Sequence, residues 1–297
     1  MTNSENKKAE FIFFGTDSFS IAILNKLKNG GYMPKLIITV PDKPAGRGRK
    51  MTSPEIVEWA KDNSVNVKQP HKLDEEFISD IEKIQKWDLF IVASYGKIIP
   101  KIVLILPKFQ AINVHPSLLP LYRGASPIES AILDDSKETG VTIMLMDEEM
   151  DHGPILNQEV VFFEEWKDKK IIREKLATIG GDLLVNTIPS WIAGNIEAQE
   201  QDHKRATFTK KISKEMGRLD FDTITKKLSG DIRQNFLKIQ ALNPWPGTYF
   251  FINRNKKEMR VKITSAKLNG HDLNILKVIP EGRREMSYED FKKGFLN

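Results

Sequence analysis

Short apolar runs separated by amphipathic segments limit the possible folds of this chain more than any other feature. Two of these runs, "FIFFGT" at residues 11–16 and "DLFIVASYG" at residues 88–96, have the length of a strand and lack polar alternation. Between them, "DSFSIAILNKLKNG" predicts a helix that begins at Asp17 or Ser18 and ends at a glycine pair. Strands buried on both faces and connected through helices indicate an α/β fold with a doubly wound, mostly parallel sheet.

The remaining segments complete a predicted catalytic domain over residues 1–194. Ser53 is expected to cap a helix that has Pro54 at its first position. Two alternating segments on either side of Asp151 predict an antiparallel edge of the sheet. The other predicted elements are strands in "KLIITV", "VNVKQP" and "AINVH", and helices in "SPEIVEWAKDN", "LDEEFISDIEKIQKW" and from about Asp168 to Ala193.

A polar stretch without apolar periodicity separates this domain from the C-terminal part of the chain. It predicts a linker over residues 195–212, followed by a basic domain over residues 213–297. That domain contains one helical segment, a Pro-Trp-Pro-Gly sequence and then short alternating segments, which together indicate a small β-barrel.

Composition excludes several kinds of chemistry. The chain has 297 residues, and no apolar run approaches the roughly 18 residues of a membrane span. Its first residues, "MTNSENKKAE", contain no apolar signal segment, so we expect a cytoplasmic protein. The absence of cysteine excludes disulfides, thiolate zinc sites and thiol nucleophiles. Five histidines that form no H-E-x-x-H pattern predict no metal site.

Charge is unevenly distributed along the sequence. Residues 205–297 contain 20 Lys and Arg against 10 Asp and Glu, a net charge of +10, whereas the whole chain has 45 against 40, a net charge of +5. Residues 1–204 therefore carry a net charge of −5. A basic part attached to a mildly acidic one is typical of polyanion binding, but solvated lysines give the same count. On charge alone, the basic C-terminal part is explained equally well by nucleic-acid binding and by lysines that are simply solvated.

The candidate functional residues lie at the end of the predicted strand "AINVH", residues 111–115. Strand ends in an open α/β sheet form the crevice where ligands bind, and the equal parity of Asn113 and His115 places both side chains on one face. An amide that stabilises an oxyanion and an imidazole that accepts a proton suit the attack of an amine on an acyl carbon. For such a pair alone, a turn cap and a buried, hydrogen-bonded histidine are the more frequent explanation.

Two further segments bear on the chemistry. Asp151 lies between two predicted strands, where it is either an ordinary turn residue or a carboxylate that takes part in proton transfer. The segment "FFGTDS" lacks the G-x-G-x-x-G spacing, so no dinucleotide site is expected.

Several separated motifs resemble the formyltransferase family that uses 10-formyltetrahydrofolate. In that family an Asn, a His two residues later and a more distant Asp form the catalytic set, and Asn113, His115 and Asp151 match it. The triplet alone fits members that act on glycinamide ribonucleotide, sugar nucleotides or tRNA, and the basic insertion at residues 41–51 and the basic C-terminal domain select the tRNA members. The motifs that carry the resemblance are "SLLPLYRGASPI", "ETGVTIMLMDEEMDHGPIL", "FFGTDSFSIAIL", "PDKPAGRGRKMTSP", "ASYGKIIP", "TKKISKEMGRLD" and "ALNPWPGTYF".

The resemblance implies an enzyme that transfers the formyl group of 10-formyltetrahydrofolate to the α-amine of initiator methionyl-tRNA for translation initiation. In that reaction Asn113 and protonated His115 hold the developing oxyanion, while Asp151 orients His115 and relays protons. No covalent enzyme intermediate is required. A monomer without a metal and without membrane association is expected.

The resemblance also implies two binding regions. The cofactor is expected against the backbone of the "SYGKII" loop, with a second, proline-containing loop as the pocket wall. The residues of this cofactor site are Tyr95, Gly96, Lys97, Ile98, Ile99, Ser117, Leu118, Leu119 and Pro120. The tRNA is expected on a basic loop beside the active site, with Arg47 as its foremost contact, and on the linker. The tRNA-binding residues are Lys43, Arg47, Arg49, Lys50, Lys210, Lys211 and Lys214.

Two departures from the family pattern are visible. Leu121 stands where relatives often carry a basic residue. The chain also passes from "VKITSAKLNGHD" directly into "LNILKVIPEGRREMSYEDF", where the family's barrel usually has several more strands, so the predicted barrel is abbreviated. Two alternatives remain open: a sugar-nucleotide N-formyltransferase with the same cofactor, and a non-catalytic nucleic-acid-binding protein, against which the intact triplet argues.

Overall fold

The computed structural model describes residues 9–45, 48–225, 232–254, 256–270 and 272–296, and the chain forms two compact units. Unit 1 comprises Met1–Arg123, Thr139–Val161 and Arg173–Phe208. Unit 2 comprises Gly124–Glu138, Phe162–Ile172 and Thr209–Asn297. The stretch predicted as a linker is divided between them, with residues 195–208 in unit 1 and residues 209–212 in unit 2.

Unit 1 is built on a seven-stranded sheet. The first nine strands of the chain are β1 (Phe11–Gly15), β2 (Leu36–Ile38), β3 (Lys43–Ala45), β4 (Lys50–Thr52), β5 (Asn66–Lys68), β6 (Leu89–Ala93), β7 (Ala111–His115), β8 (Glu138–Leu145) and β9 (Ile155–Phe162). The sheet has the order β5-β2-β1-β6-β7-β8-β9, while β3 and β4 form a separate hairpin. Pairing is parallel from β5 to β7 and antiparallel between β7 and β8. The predicted doubly wound sheet and its antiparallel edge are confirmed.

Helices connect these strands and continue into unit 2. They are α1 (Ser18–Asn29), α2 (Glu55–Asp62), α3 (Glu75–Glu82), α4 (Lys101–Leu104), α5 (Pro127–Leu133), α6 (Lys169–Ile192), α7 (Phe221–Thr225), α8 (Ile232–Leu242) and α9 (Tyr288–Phe295). The predicted cap of α2 is wrong by one residue: Pro54, with an extended ψ of 144°, occupies the cap position, and Ser53 donates instead to Asp42. Among the described residues, no helix is long and apolar enough to cross a membrane.

The order of the parallel strands reverses between β1 and β6, and this reversal positions the site. The chain runs outward from β1 through β2 to β5 and then returns to the other side of β1 with β6. The loops after β1 and β6 therefore diverge and leave a crevice at the carboxyl ends of the strands. Asp17 and Ser94 line this point, where the Asp17 carboxylate accepts from the Ser94 hydroxyl at 2.8 Å and from the Arg173 guanidinium at 2.5 Å.

Helix α6 packs closely against the strand that ends in His115. A Cβ placed on Gly180 of α6 would meet Val114 Cγ1 at 2.8 Å and Val141 Cγ1 at 3.0 Å, so only glycine allows this approach. Val114 thus faces α6. Because side chains alternate along a strand, Asn113 and His115 face the opposite side of the sheet.

Unit 2 contains an antiparallel sheet of four strands, β10 (Thr248–Arg254), β11 (Lys257–Asn269), β12 (Asp272–Pro280) and β13 (Met286–Ser287), in sequence order. The sequence predicted a small, abbreviated β-barrel in this part of the chain, and the structure confirms a separate antiparallel sheet there. Its buried face includes Phe250 of β10, which packs against Phe291 of α9 with the ring centroids 6.1 Å apart. Helix α9 begins at a Ser287 cap that accepts from the Asp290 amide, and the sequence prediction did not include it.

Candidate active site

Asn113 and His115 are held rigidly at the end of a central strand. All five residues of β7 are buried, and Asn113 is paired with Val92 on one side and Met144 on the other. His115 lies opposite Thr142 of β8. The two candidate side chains therefore leave the same face of the sheet at its carboxyl edge, where ligand sites of open α/β sheets form.

The structure brings His115 and Asp151 together although 36 positions separate them in the sequence. His115 Nδ1 lies 3.4 Å from Asp151 Oδ1, and the two side chains are only 5% and 14% exposed. His115 Nε2 lies 3.1 Å from the Tyr122 carbonyl. A carbonyl only accepts, so Nε2 is the ring nitrogen that donates to it, and Nδ1 is the nitrogen that faces the carboxylate.

The Asn113 side chain is buried but available to a ligand. It is 9% exposed, and among the described residues its amide group makes no hydrogen bond. Its amide atoms are not among the fully buried, unpaired polar atoms of the described residues, so they face accessible space where a ligand can bond to them. The three residues of the predicted triplet are thus near one another, and their catalytic role stays a prediction.

The predicted cofactor loop follows β6 at the point where the strand order reverses. Gly96 has a φ of +76°, and a Cβ there would meet no atom within 4 Å, so the backbone borders open space. Ile98 is 87% exposed, whereas Tyr95 and Ile99 are buried. Burial raises the pKa of the Tyr95 hydroxyl to about 12, so this side chain stays neutral and packs edge-on against Phe14.

The Lys97 side chain attaches this loop to the segment around residues 70 and 71. Its ammonium donates to the carbonyls of Pro70 and His71 at 3.1 and 3.2 Å. Burial and, to a lesser degree, the charge of Lys43 lower the pKa of the Lys97 ammonium. A cleft of about 450 Å³ lies beside these carbonyls and contains no residue of the triplet. Its lining residues are Lys68, Gln69, Pro70, His71, Lys72, Asp74, Glu76, Phe77 and Asp80.

The second predicted cofactor segment, Ser117 to Pro120, is fixed by the antiparallel edge of the sheet. Thr142 of β8 donates to the Ser117 carbonyl at 2.7 Å and accepts from the Leu119 amide at 3.1 Å. Gln158 of β9 donates to the Leu119 carbonyl at 2.8 Å. Ser117 and Leu119 are buried, while Leu118 and Pro120 are half-buried. The loop after His115 is therefore a rigid wall, and its contact with a cofactor stays a prediction.

The predicted tRNA contacts are exposed cations in two places. Lys43 and Lys50 lie on the β3–β4 hairpin, with Arg49 between its strands, and all three are exposed. Arg47 lies outside the described residues. Lys210, Lys211 and Lys214 are exposed and belong to unit 2.

Unit 2 also carries aromatic and basic side chains together on one surface. Tyr249 and Phe251 alternate with buried residues of β10, so they lie on the outer face of the sheet. Lys262 is directly opposite Tyr249, and Arg260 is directly opposite Phe251, with its guanidinium 5.5 Å from the Tyr249 ring. Arg218 lies 5.3 Å from the Phe251 ring. We call Arg218, Tyr249, Phe251, Arg260 and Lys262 the aromatic-basic face.

Sequence reasoning missed two buried residues beside the triplet. Arg123 and Gln201 are 3% and 4% exposed, and the guanidinium donates to the Gln201 amide oxygen at 2.7 and 3.2 Å. Arg123 lies in a quoted motif, but Gln201 lies in the polar stretch assigned to the linker and carries no local signal. Within the described ranges, no cluster of three or more His, Asp or Glu side chains is arranged to hold a metal.

More than half of the chain matches the sequence model of a single family. The family is described as formyl transferase, and the match covers residues 7–188. The chain belongs to the formyl transferase family. This formyl transferase is 33% identical to the methionyl-tRNA formyltransferase of Caldanaerobacter subterraneus subsp. tengcongensis, over 95% of this chain and 96% of that protein. It is 35% identical to the methionyl-tRNA formyltransferase of Bacillus subtilis, over 95% and 94% of the two chains.

Solved structures share the fold of this formyl transferase at lower identity. A sugar N-formyltransferase from a Shewanella species has a TM-score of 0.63 and 19% identity, over 88% of this chain and 99% of that one. HypX from Aquifex aeolicus, in complex with tetrahydrofolic acid, has a TM-score of 0.66 and 15% identity, over 97% of this chain and 48% of that one. These likenesses show the fold alone.

Proposed function

We propose that this formyl transferase moves the formyl group of 10-formyltetrahydrofolate to the α-amine of initiator methionyl-tRNA. The observation that carries the proposal is that methionyl-tRNA formyltransferases are similar to the chain over 95% of its length. That similarity extends through unit 2, beyond the formyl transferase match at residues 7–188. The product, N-formylmethionyl-tRNA, is used in translation initiation.

The triplet suits the chemistry of that transfer. A bond forms between the amine nitrogen and the formyl carbon, the bond from that carbon to the folate nitrogen breaks, and the amine loses a proton that the folate nitrogen gains. The open Asn113 amide supplies hydrogen-bond donors for the developing charge on the formyl oxygen. His115, with Asp151 facing Nδ1, passes protons during the transfer.

The loop after β6 is the proposed cofactor site. 10-Formyltetrahydrofolate supplies the formyl group, and its flat, polar ring needs backbone hydrogen-bonding groups beside open space. The positive φ and empty surroundings of Gly96 provide such a backbone, and the exposed side chain of Ile98 offers an apolar contact. The rigid wall from Ser117 to Pro120 closes the other side of the proposed pocket.

Two sets of cations are proposed to hold the tRNA. Exposed lysines on the β3–β4 hairpin and near residues 210–214 meet phosphates, which are neutralised mainly by Lys and Arg. The aromatic-basic face combines ring surfaces with guanidinium groups, a pairing that suits unpaired bases and the phosphates between them. A sugar-nucleotide acceptor needs neither set.

The test offers the purified protein 10-formyltetrahydrofolate with one of two acceptors, methionyl-tRNA or an amino-sugar nucleotide. We expect formylation of methionyl-tRNA only. Free methionine is the matched small acceptor, and we expect its turnover to be far slower because it lacks the tRNA contacts. Formylation of the amino-sugar nucleotide without formylation of methionyl-tRNA would overturn the proposal in favour of a sugar N-formyltransferase.

A further inference from the structure

Residues 199–208, which the sequence indicated as linker, are bonded to both loops that flank the His115–Asp151 pair. Gln199 exchanges two backbone hydrogen bonds with Ile155, at 2.7 and 2.9 Å, just after the Asp151 turn. Thr207 accepts from the amides of Tyr122 and Arg123, at 2.8 Å each. Tyr122 is also the residue whose carbonyl meets His115 Nε2. One segment thus contacts the supports of both ring nitrogens of His115.

The side chain of Gln201 lies at the centre of this segment. Its amide nitrogen donates to the Asp151 carbonyl at 3.0 Å and to the Gly153 carbonyl at 2.7 Å. Both amide hydrogens are used, and they fix the backbone on either side of residue 152. Asp151 has a φ of +51°, which is uncommon for a residue other than glycine, so this turn needs contacts that hold it.

Arg123 determines which way the Gln201 amide points. A guanidinium only donates, so the amide oxygen must face Arg123 and the amide nitrogen must face the turn. Arg123 Nη2 also lies 2.8 Å from His203 Nδ1, and the His203 ring stacks on His152 at 4.1 Å. The chain of contacts from Gln201 through Arg123 and His203 therefore ends at His152, the residue next to Asp151.

We infer that Gln201, oriented by Arg123, is a positioning residue that holds Asp151 at His115. The inference rests on the proposed function, because the pair matters only if His115 moves protons. The Asp151 carboxylate is 3.4 Å from the ring, and proton transfer depends on that separation. Gln201 contacts the backbone of the turn and not His115, so it acts through Asp151.

Gln201→Glu is the main test variant, because the carboxylate keeps the contact with Arg123 and lacks the N–H groups that reach the turn. We expect kcat with methionyl-tRNA to fall by about 10- to 100-fold, with KM for both substrates changed by less than about threefold, since misplacing a reacting group by an ångström has a cost of this order. In an Asp151→Ala background, the same change should alter kcat by less than about twofold, because two changes acting through one group are not additive. Gln201→Met provides the same comparison if the glutamate variant does not fold.

Asn157→Asp is the matched control within unit 1. It also replaces an amide, whose nitrogen donates to Thr187 at 3.2 Å, and it does not contact the turn. We expect it to leave kcat within about twofold of wild type. Amide hydrogen exchange over residues 147–154 should be faster in Gln201→Glu than in Asn157→Asp, because the turn has lost two of its hydrogen bonds.

The exchange measurement needs no substrate, so it distinguishes failure of this inference from failure of the proposed function. Wild-type kcat in Gln201→Glu, an equal fold loss in the Asp151→Ala background, or unchanged exchange over the turn would each overturn the inference. A wild-type protein that formylates no methionyl-tRNA overturns the proposed function. Faster exchange in Gln201→Glu would in that case still support the inference that Gln201 holds the Asp151 turn.

Discussion

At the scale of single residues, the site combines an open amide, a histidine whose two nitrogens face a carbonyl and a carboxylate, and an aspartate with an uncommon backbone conformation. Asn113→Ala, His115→Ala and Asp151→Ala should each lower kcat by at least about 100-fold, because each removes oxyanion stabilisation or proton transfer. Steady-state kinetics with methionyl-tRNA measure this effect. Thermal unfolding followed by circular dichroism checks that the variants fold. A variant with turnover near that of the wild type shows that the residue changed is not catalytic.

The cofactor loop makes a second prediction about one residue. Gly96→Ala forces a side chain into a positive φ, at a cost of about 1 to 2 kcal/mol, and should weaken binding of 10-formyltetrahydrofolate by about tenfold through displacement of the loop backbone. Gly194→Ala is the matched control, since Gly194 also has a positive φ, +72°, and open surroundings. Calorimetric titration with the cofactor distinguishes the two. Equal affinities in both variants would exclude the loop from the cofactor site.

Strand alternation was sufficient to place Asn113 and His115 on one face, because both lie on the same element. Asp151 needed the family resemblance, since no local pattern links residue 151 to residue 115. Gln201 and Arg123 could not be predicted as a pair, because their contact joins residues 78 positions apart and glutamine in a polar stretch has no periodic signal. Contacts between loops cannot be predicted from sequence patterns, because each pattern describes only one helix or strand.

At the scale of the elements, the contact of α6 with β7 sets the position of the strand that carries Asn113 and His115. Gly180→Ala places a methyl group against Val114, so it should destabilise the protein by about 1 to 3 kcal/mol and lower kcat by shifting β7. The double variant Gly180→Ala/Val114→Ala removes the nearest clash and should recover part of both losses. Urea unfolding and kinetics report the two effects. No recovery in the double variant would show that the strand and helix are not in this close contact.

A charge pair inside unit 2 makes its stability depend on pH. Arg233 donates to both carboxylate oxygens of Asp135, and this hydrogen bond, with the charge of Arg233, holds the pKa of Asp135 below its usual value of 3.8. A lowered carboxyl pKa contributes stability above pH 3.8 that is lost as the pH falls through the lowered value. Arg233→Met should therefore be less stable than wild type at pH 7, and the difference should shrink below about pH 4.

The measurement for this pair is urea unfolding of both proteins at several pH values between 2.5 and 7. Arg284→Met is the control, because Arg284 is exposed and has no carboxylate partner within the described part of the chain. Its stability difference from wild type should be small at every pH. A difference for Arg233→Met that stays constant down to pH 2.5 would show that Asp135 is not the group responsible.

Elements with a strong local signal were predicted well from the sequence. Buried runs such as residues 11–15 and 89–93 are strands because both faces are covered, and α1 begins at Ser18, one of the two predicted starts, with Asp17 as its cap. Ser53 failed as a cap because the helix begins one residue later, after an extended proline. Helix α9 was missed because its short sequence buries mainly Phe291 and otherwise appears polar.

At the scale of the whole molecule, the separation of charge predicts how tRNA affinity depends on salt. Each phosphate contact that is lost should flatten the plot of log affinity against log salt by roughly 0.7 to 0.9. Replacing Lys210, Lys211 and Lys214 with glutamine should therefore lower tRNA affinity and flatten this slope by about 2 to 3, while kcat at saturating tRNA stays close to wild type. Filter binding across a salt series measures the slope.

An equal change of charge elsewhere is the control for this prediction. Lys61, Lys83 and Lys86 are exposed lysines of unit 1, and replacing them with glutamine alters the net charge by the same amount. For this triple variant, the slope of log tRNA affinity against log salt should stay within about 0.5 of the wild-type slope. The reason is that net charge alone acts weakly beyond a Debye length of about 8 to 10 Å. If both triple variants flatten the slope equally, the lysines at 210–214 are not phosphate contacts.

The inferred role of residues 199–208 in holding the Asp151 turn also predicts when a newly made chain becomes competent. Synthesis proceeds from the N-terminus, so β7 and the Asp151 turn leave the ribosome before Gln201, which follows Asp151 by 50 residues. A nascent chain with its parallel sheet complete still lacks the side chain that holds the turn. The inference therefore predicts that this formyl transferase reaches full activity only late in its own translation, and that a chain ending before residue 201 is less active than the full-length protein.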